Sequence, residues 1–428
     1  MSISNSDIKK IIQHISLASF FVFAAKIVTF LKEIFLAKNY GTNTFLESYL
    51  FLFNFFNLIG GIFLFTIIFS VVPALSKCPK NQKKLFKIKI IELFLKTSLF
   101  TILICFIILA LGIKSDLFSL NIQVKEITSK YYFYFLIIFP FWVLTFILTA
   151  FLIEKKIQVG SFYESLPSIF TLLLLFILPN DFLPLIVGFS LGIVLQLLLL
   201  FFHQFNDYKI ESSEFNNSVF NEFIRNVKIV FLIQILMSSQ HFIDHFILAR
   251  MAEKTLVQFS YSYKVFTFFQ TFGLLILSRT ILPFFSEPNL SKKINEKTII
   301  KQINYCFIIF TVLAFILYFF ANEIITLIFQ RGEFSDSDSI NVANLFRIFT
   351  LMLPFYMCYI FVITFLYSRN DYNRILKFCY FFILLKVLYL FLTKELLAET
   401  LIYSSLIASI FSFTYLYREI LKKKEIKG

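Results

Sequence analysis

Long apolar stretches separated by short polar connections run along the whole sequence. A helix needs about 20 mostly apolar residues to cross a bilayer, and by that measure the chain has about twelve crossing segments. They lie near residues 11–31, 45–75, 93–113, 130–153, 159–179, 182–203, 224–249, 256–285, 300–321, 340–368, 373–393 and 396–417. None shows the period-two alternation of a membrane β-strand, so the pattern predicts an all-α polytopic membrane protein.

The composition supports a membrane protein over a soluble one. Hydrophobic residues make up 58% of the chain and charged residues only 15%, whereas soluble domains carry about 25% charged residues. The net charge of +14 does not indicate nucleic acid, because the lysines lie between apolar stretches and not among stacking aromatic residues. We therefore expect membrane lipids, and no nucleic acid, around this protein.

The basic residues predict which side of the membrane each connection faces. Most of the 40 lysines and arginines lie at the two termini and in connections that follow even-numbered segments. The connection after the second segment carries Lys77, Lys80, Lys83, Lys84, Lys87 and Lys89. The connection 322–339, after an odd-numbered segment, is acidic instead. Because cytoplasmic loops carry the excess of positive charge, both termini are expected in the cytoplasm.

Two pairs of segments indicate an internal duplication. The stretch LFNFFNLIGG (52–61) resembles VFTFFQTFGL (265–274), and FPFWVLTFILTAFL (139–152) resembles LPFYMCYIFVITFL (353–366). The order of the matches is preserved, which predicts two six-helix lobes in the same orientation, 1–206 and 207–428. Chance similarity between Phe-rich helices is the alternative. Parallel repeats of this kind favour alternating access, with a substrate site between the halves near the midplane.

Several charged residues fall inside or at the ends of the apolar segments. Charges at membrane depth are costly and usually face a cavity or one another. Lys26 and Lys32 lie in the first segment, Glu47 begins the second, and Lys264 lies in the eighth. Lys26 and Lys264 fall at corresponding depths of the two halves, which suits a cationic cavity for a phosphate or diphosphate. The alternative is that these lysines reach along their own stems to the membrane interface.

The seventh segment carries a polar cluster of His241, Asp244 and His245. Histidines four residues apart on one helix can bind zinc, but the sequence offers no obvious third ligand, and its cysteines lack metal spacing. We therefore expect no metal, and a polar or coupling-ion site with Asp244 as its acidic member. Glu164, Arg347 and Lys386 are further intramembrane charges to which the sequence assigns no partner.

The chain contains no nucleotide-binding or hydrolytic motif. This favours a transporter without a cofactor, driven by sodium, protons, the membrane potential or the substrate's own gradient, and it disfavours an enzyme. A membrane-embedded enzyme built on the seventh-segment cluster is the remaining alternative.

One polar connection carries a specific resemblance. The segment IFQRGEFSDSDS (328–339) resembles the QRG-x-F loop of the MurJ/MviN family of lipid II flippases. Apolar bias cannot produce this match, because the segment is polar. Its motif residues are Gln330, Arg331, Gly332 and Phe334.

Three other segments are similar to the same family, in the same order. In AKIVTFLKEIFLAKNYGTNTFLESY (25–49), Lys26 and Lys32 stand at two family arginines and Glu47 at an aspartate. In FSYSYKVFTFFQTFG (259–273), Lys264 stands at a third arginine. IDHFILARM (243–251) resembles the seventh helix of the family, where Asp244 matches and His245 replaces a basic residue.

The resemblance implies the multidrug/oligosaccharidyl-lipid/polysaccharide exporter superfamily, which is V-shaped with a cationic central cavity. It implies a monomer in the bacterial cytoplasmic (inner) membrane. This protein would flip an undecaprenyl-diphosphate-linked saccharide, above all the peptidoglycan precursor lipid II, from the inner to the outer leaflet. The family roles would give the diphosphate to Lys26, Lys32 and Lys264, and gating to Glu47.

The sequence also departs from the family. Lysines replace all three arginines, which keeps the charge but loses the bidentate guanidinium fork. The second-helix Pro-Asn-Leu-Leu-Arg-Arg reads Phe-Asn-Leu-Ile-Gly-Gly here (56–61), and family members often carry fourteen spans. Two alternatives therefore stay open: a flippase for another lipid-linked polysaccharide intermediate, and a cation-coupled small-molecule antiporter of the same superfamily.

Overall fold

The computed structural model of this chain describes residues 20–21, 23–32, 35–36, 44–79, 81–115, 122–157, 159–178, 183–204, 217–248, 253–276, 296–329, 336–393, 395 and 397–426. Within these ranges every regular element is a helix. A bilayer core offers no water to backbone N–H and C=O groups, so long apolar segments adopt the helix, which satisfies those groups internally.

Fourteen helical stretches follow one another along the described residues. They are α1 (23–32), α2 (Thr44–Lys77), α3 (Lys83–Lys114), α4 (Ile122–Glu154), α5 (Gly160–Tyr163), α6 (Leu166–Ile177), α7 (Leu183–Phe202), α8 (Asn217–Leu248), α9 (Glu253–Ile276), α10 (Glu296–Phe319), α11 (Ala321–Phe329), α12 (Asp336–Ser368), α13 (Tyr372–Leu392) and α14 (Ala398–Ile426).

The described residues contain nine segments that are long and apolar enough to cross a membrane. Each of the nine overlaps one of the twelve predicted stretches, which confirms an all-α polytopic membrane protein. The stretches near 224–249 and 256–285 correspond to α8 and α9, in which some side chains lie outside the described structure. About half of the stretch near 11–31, residues 11–19 and 22, lies outside the described residues.

Contacts among the described residues divide the chain into two compact units, Ser6–Phe231 and Leu232–Gly428. We call them the N-terminal unit and the C-terminal unit. The division falls inside α8, whose first part belongs to the N-terminal unit and whose second part belongs to the C-terminal one. The arrangement as two six-helix lobes, 1–206 and 207–428, stays a prediction.

In the N-terminal unit the central helix is α4, which packs against α2, α3 and α7. Its most apolar window is 78% buried, whereas that of α3 is 22% buried and presents most of its surface outward. The helices α6 and α7 approach closely where α7 carries Gly188 and Gly192. A Cβ added at either glycine would overlap the backbone of Thr171 or Pro167 on α6.

In the C-terminal unit α12 holds the corresponding place. It packs against α9, α10, α11, α13 and α14, and its most apolar window is 83% buried. Both α4 and α12 are 33 residues long and carry one internal proline, Pro140 and Pro354. These are the prolines that the two similar sequence stretches align.

The ends of α4 and α12 also match. After α4, Lys156 has a φ of 63°, and after α12, Asn370 has a φ of 58°. In each case the N–H of that residue and the N–H of the next donate back into the last helical turn, in the pattern of a Schellman cap. Lys156 stands at the same distance from Pro140 as Asn370 does from Pro354. The likeness of the two helices therefore extends to their backbone caps.

Candidate functional site

Lys32 lies against one ring of an aromatic cluster in the N-terminal unit. Its side chain is buried, at 4% exposure, and its ammonium lies 5.0 Å from the centroid of the Phe53 ring. An ammonium over an aromatic face is attracted by the negative face of the ring. We define the aromatic cluster as Tyr49, Phe53, Phe135, Trp142 and Phe189.

The helices α2, α4 and α7 supply the aromatic cluster. The ring centroids of Tyr49 and Phe53 are 5.6 Å apart, and Phe189 packs edge-on against Phe53 and Trp142 at 5.6 and 5.2 Å. Trp142 in turn lies 3.4 Å from the position of a Cβ at Gly60, so the glycine leaves room for the indole. These contacts hold the Phe53 ring in place beneath Lys32.

Lys26 lies on α1, and Glu47 lies on α2. Lys26 is half-buried on α1, six residues before Lys32 and therefore on a different face of the helix. On the same helix, Thr29 donates to the carbonyl of Ala25, and Ser168 of α6 donates to Thr29 at 3.5 Å. Glu47 lies in the first turn of α2, and its side chain lies outside the described part of the structure.

Lys264 lies in the C-terminal unit, on α9. Its side chain is exposed, and its ammonium lies 5.7 Å from the centroid of Tyr261, one turn earlier. The loop motif residues Gln330, Arg331, Gly332 and Phe334 lie outside the described residues. The proposed roles of Lys26, Lys32, Lys264 and Glu47 therefore stay predictions about individual side chains.

Asp244 has a partner that the sequence did not assign. The ammonium of Lys386 on α13 lies 2.7 Å from both carboxylate oxygens of Asp244 on α8. The same ammonium donates to the hydroxyl of Ser405 on α14 at 2.7 Å. Lys386 is fully buried and Asp244 is 8% exposed. The sequence could suggest each charge, because each interrupts an apolar run, but not the pairing.

The two histidines beside Asp244 are placed by their backbone only. His241 and His245 lie in α8, and their side chains are outside the described structure. The described residues contain no group of three or more side chains that could hold a metal ion.

Two further polar contacts lie in the apolar interior of the C-terminal unit. Gln234 of α8 donates to the hydroxyl of Tyr367 on α12 at 2.9 Å, and the buried amide of Gln270 on α9 lies close to the hydroxyl of Tyr356 on α12. Sequence reasoning missed these four residues, although an amide inside an apolar helix is a usable signal, since buried polar groups need partners. The contacts join α8 and α9 to the central helix.

A small cleft lies next to the ion pair. Gln240 and Met237 of α8 line it, together with Tyr359 of α12 and Phe382 and Ile383 of α13. Gln240 lies one turn before Asp244 and Ile383 one turn before Lys386. The cleft therefore lies about one helical turn from both members of the ion pair in the C-terminal unit.

Long apolar helices with buried charges that are paired inside the bundle define a polytopic membrane protein. Residues 115–428 match the family model described as lipid II flippase MurJ. The chain belongs to the MurJ lipid II flippase family, as the resemblance in its polar loop and its helices indicated.

Solved structures share this fold. A lipid II flippase MurJ in an inward closed conformation is 17% identical, with a TM-score of 0.69 over 94% of this chain and 87% of that chain. A MOP superfamily transporter from Pyrococcus furiosus is 14% identical, with a TM-score of 0.77 over 97% and 95%. The Vibrio cholerae MATE transporter VcmN, as a variant, is 10% identical, with a TM-score of 0.72 over 97% and 96%.

At these identities the structural likeness concerns the fold alone. No functionally curated protein matches the sequence.

Proposed function

We propose that this protein flips an undecaprenyl-diphosphate-linked saccharide, lipid II, from the inner to the outer leaflet of the bacterial cytoplasmic membrane by alternating access. The observation that carries the proposal is the match of residues 115–428 to the MurJ family model. The nine apolar helices support a multi-pass protein, and the positions of the basic residues support cytoplasmic termini. The substrate and the membrane lipids are its proposed partners, and it acts as a monomer.

In this proposal the lysines bind the diphosphate. The ammonium of Lys32 lies over the ring of Phe53, which packs against the other rings of the aromatic cluster. Lys26 lies on the same helix, and Lys264 is exposed on α9. An ammonium acts on phosphate as a point charge with rotatable donors. Replacing arginine by lysine therefore keeps the attraction to a diphosphate but relaxes its geometric selectivity.

The second candidate is transport of another substrate by the same fold. Two observations support this second candidate: lysines stand where the family has arginines, and the fold is similar to those of MOP and MATE transporters. A different lipid-linked glycan would keep the cationic site, since the diphosphate is common to such substrates. A small cationic compound would not be attracted by Lys26 and Lys264.

A flipping assay with reconstituted protein tests whether lipid II is the substrate. The full chain is placed in vesicles with lipid II labelled on its head group, and a membrane-impermeant quencher reports the fraction in the accessible leaflet. We expect the protein to expose to the quencher the lipid II that was protected in the inner leaflet of the vesicle. Lys26→Met and Lys264→Met should lower the rate of this exposure. Lys301→Met is the matched control, because Lys301 is also exposed and lies 5.8 Å from the ring of Tyr305, one turn away.

Depletion in the host gives the complementary result. Loss of outer-leaflet lipid II, detected with an externally added probe, supports lipid II as the substrate. An unchanged lipid II distribution with loss of a surface glycan moves the assignment to a polysaccharide intermediate. If neither changes, the lipid II proposal is wrong, and small-molecule export is then measured.

A further inference from the structure

Three helices of the C-terminal unit form a buried charge site. Asp244 of α8 supplies a carboxylate, Ser405 of α14 supplies a hydroxyl, and Lys386 of α13 supplies the ammonium between them. The nitrogen-to-oxygen distances are all 2.7 Å. The site lies wholly within one compact unit.

Because Asp244 and Lys386 are both buried, each charged group needs the other as its partner. Lys386 is fully buried, and the side chain of Asp244 is only 12% exposed. Removing an isolated charge from water is very costly, and at membrane depth a charge persists only with a partner. The carboxylate of Asp244 therefore needs a cation at this position in every state in which α8, α13 and α14 stay packed as described.

The oxygens at this position have the chemistry of a monovalent cation site. Oxygen atoms of carboxylates and hydroxyls are the ligands that hard cations prefer. We propose that the Lys386 ammonium occupies a site that would otherwise take an inorganic monovalent cation, and that this chain therefore binds no sodium at Asp244. The ammonium is tethered to α13, so it cannot exchange with the medium as a free ion does.

The inference goes beyond the proposed function and does not rest on it, because it concerns an ion site within one unit and not the transported substrate. The inference also excludes one way in which an ion gradient could drive transport by this protein. A gradient of an inorganic cation such as sodium cannot act through Asp244 when the cation at Asp244 is a side chain.

The test is the thermal unfolding of the purified full chain in detergent, in choline chloride and in LiCl, NaCl or KCl at equal ionic strength. The wild-type midpoint is expected to be the same in all four salts. Lys386→Ala removes the ammonium and leaves the oxygens of Asp244 and Ser405. Its midpoint should be lower in choline chloride and should rise by about 3 °C or more in one of the inorganic salts.

Two control variants test whether the increase in the unfolding midpoint comes from a cation bound at Asp244. Adding Asp244→Asn to Lys386→Ala should abolish it, because the carboxylate is the charged ligand. Lys377→Ala, which removes an exposed lysine of the same helix, should behave as wild type. Lys386→Ser, which adds a hydroxyl oxygen, serves for the same measurement if Lys386→Ala does not fold.

Two results would overturn the inference. One is a sodium-, lithium- or potassium-specific rise in the wild type that Asp244→Asn removes, since an inorganic ion would then occupy the site beside Lys386. The other is a folded Lys386→Ala or Lys386→Ser protein with no cation-specific response, since the pair would then be structural only. If neither variant folds, the wild-type comparison decides alone.

Discussion

Lys32 and Lys386 are two lysines accommodated differently inside an apolar helix bundle. Lys386 lies between a carboxylate and a hydroxyl, whereas Lys32 lies over the face of Phe53. The Lys386 ammonium is part of an ion pair within the C-terminal unit, whereas the resemblance to the family assigns Lys32 to the substrate. Removing the charge of Lys32 is therefore expected to affect function first, and removing the partner of Lys386 is expected to affect stability first.

Lys32→Met keeps the apolar stem over Phe53 and removes the ammonium. If Lys32 contacts the diphosphate, flipping in reconstituted vesicles should fall by tenfold or more, because a hydrogen bond to a charged group contributes about 1.5–3 kcal/mol. The unfolding midpoint should change little, and Lys32→Arg should retain activity. A Lys32→Met protein with wild-type flipping would remove this residue from the proposed site.

Asp244→Asn leaves the buried Lys386 ammonium without its carboxylate. We expect a loss of about 3 kcal/mol in the free energy of unfolding, the usual cost of breaking a buried pair from one side. The double variant Asp244→Asn with Lys386→Met should recover most of the loss, because no charge then remains buried. Denaturant unfolding of the four proteins measures the coupling, and additive effects of the two single changes would contradict the pairing.

At the scale of helices, close packing and capping decide which positions are constrained. The helices α6 and α7 meet where Gly188 and Gly192 face the backbone of α6. Without water to drive association, helices in a bilayer associate through such close contacts, and small residues permit them. By contrast, a Cβ at Gly61 on α2 would meet nothing within 4 Å. The three glycines therefore differ in what an added methyl group does.

Gly192→Ala should lower the free energy of unfolding by about 1–3 kcal/mol, the usual cost of forcing extra volume into a packed contact. The added Cβ would meet the backbone of Pro167, which cannot rotate away. Gly61→Ala is the control and should be neutral or slightly stabilising, because alanine is the better helix former. Thermal unfolding compares them, and equal midpoints would show that α6 and α7 separate at no cost.

At the scale of the molecule, the duplication and the charge distribution predict one topology. Both termini are expected in the cytoplasm, on the side of the basic connections. A fluorescent protein that folds only in the cytoplasm, fused after Gly428, should be bright, whereas an alkaline phosphatase fused there should be inactive. The same reporters fused within 322–339 should behave in the opposite way. An active phosphatase at the C-terminus would reverse the predicted orientation.

Much of the fold could be predicted from sequence because hydropathy is a local property. The nine membrane-crossing helices follow from runs of apolar residues, and the match between α4 and α12 follows from similar stretches around Pro140 and Pro354. The predicted spans at α8 and α9 interrupt their apolar runs with polar residues. Their polar residues contact other helices, as Gln234 and Asp244 do.

The candidate site was harder to predict, because its contacts join distant parts of the chain. Asp244 and Lys386 are 142 residues apart, and Ser405 is one of many serines in apolar helices. Sequence reasoning identified each charge as costly, which is correct, but only packing decides which helices face one another. The aromatic cluster beneath Lys32 is hidden for a different reason, since Phe is too common here to mark a position.

Trp142 gives the protein a built-in optical reporter. It is the single tryptophan of the chain, and it packs against Phe53 and Phe189 in the cluster that holds Lys32. Intrinsic indole fluorescence of the unlabelled protein therefore arises from the N-terminal unit alone. Its emission should respond to a diphosphate that draws Lys32 away from Phe53, and it should not respond to changes confined to the ion pair of the C-terminal unit.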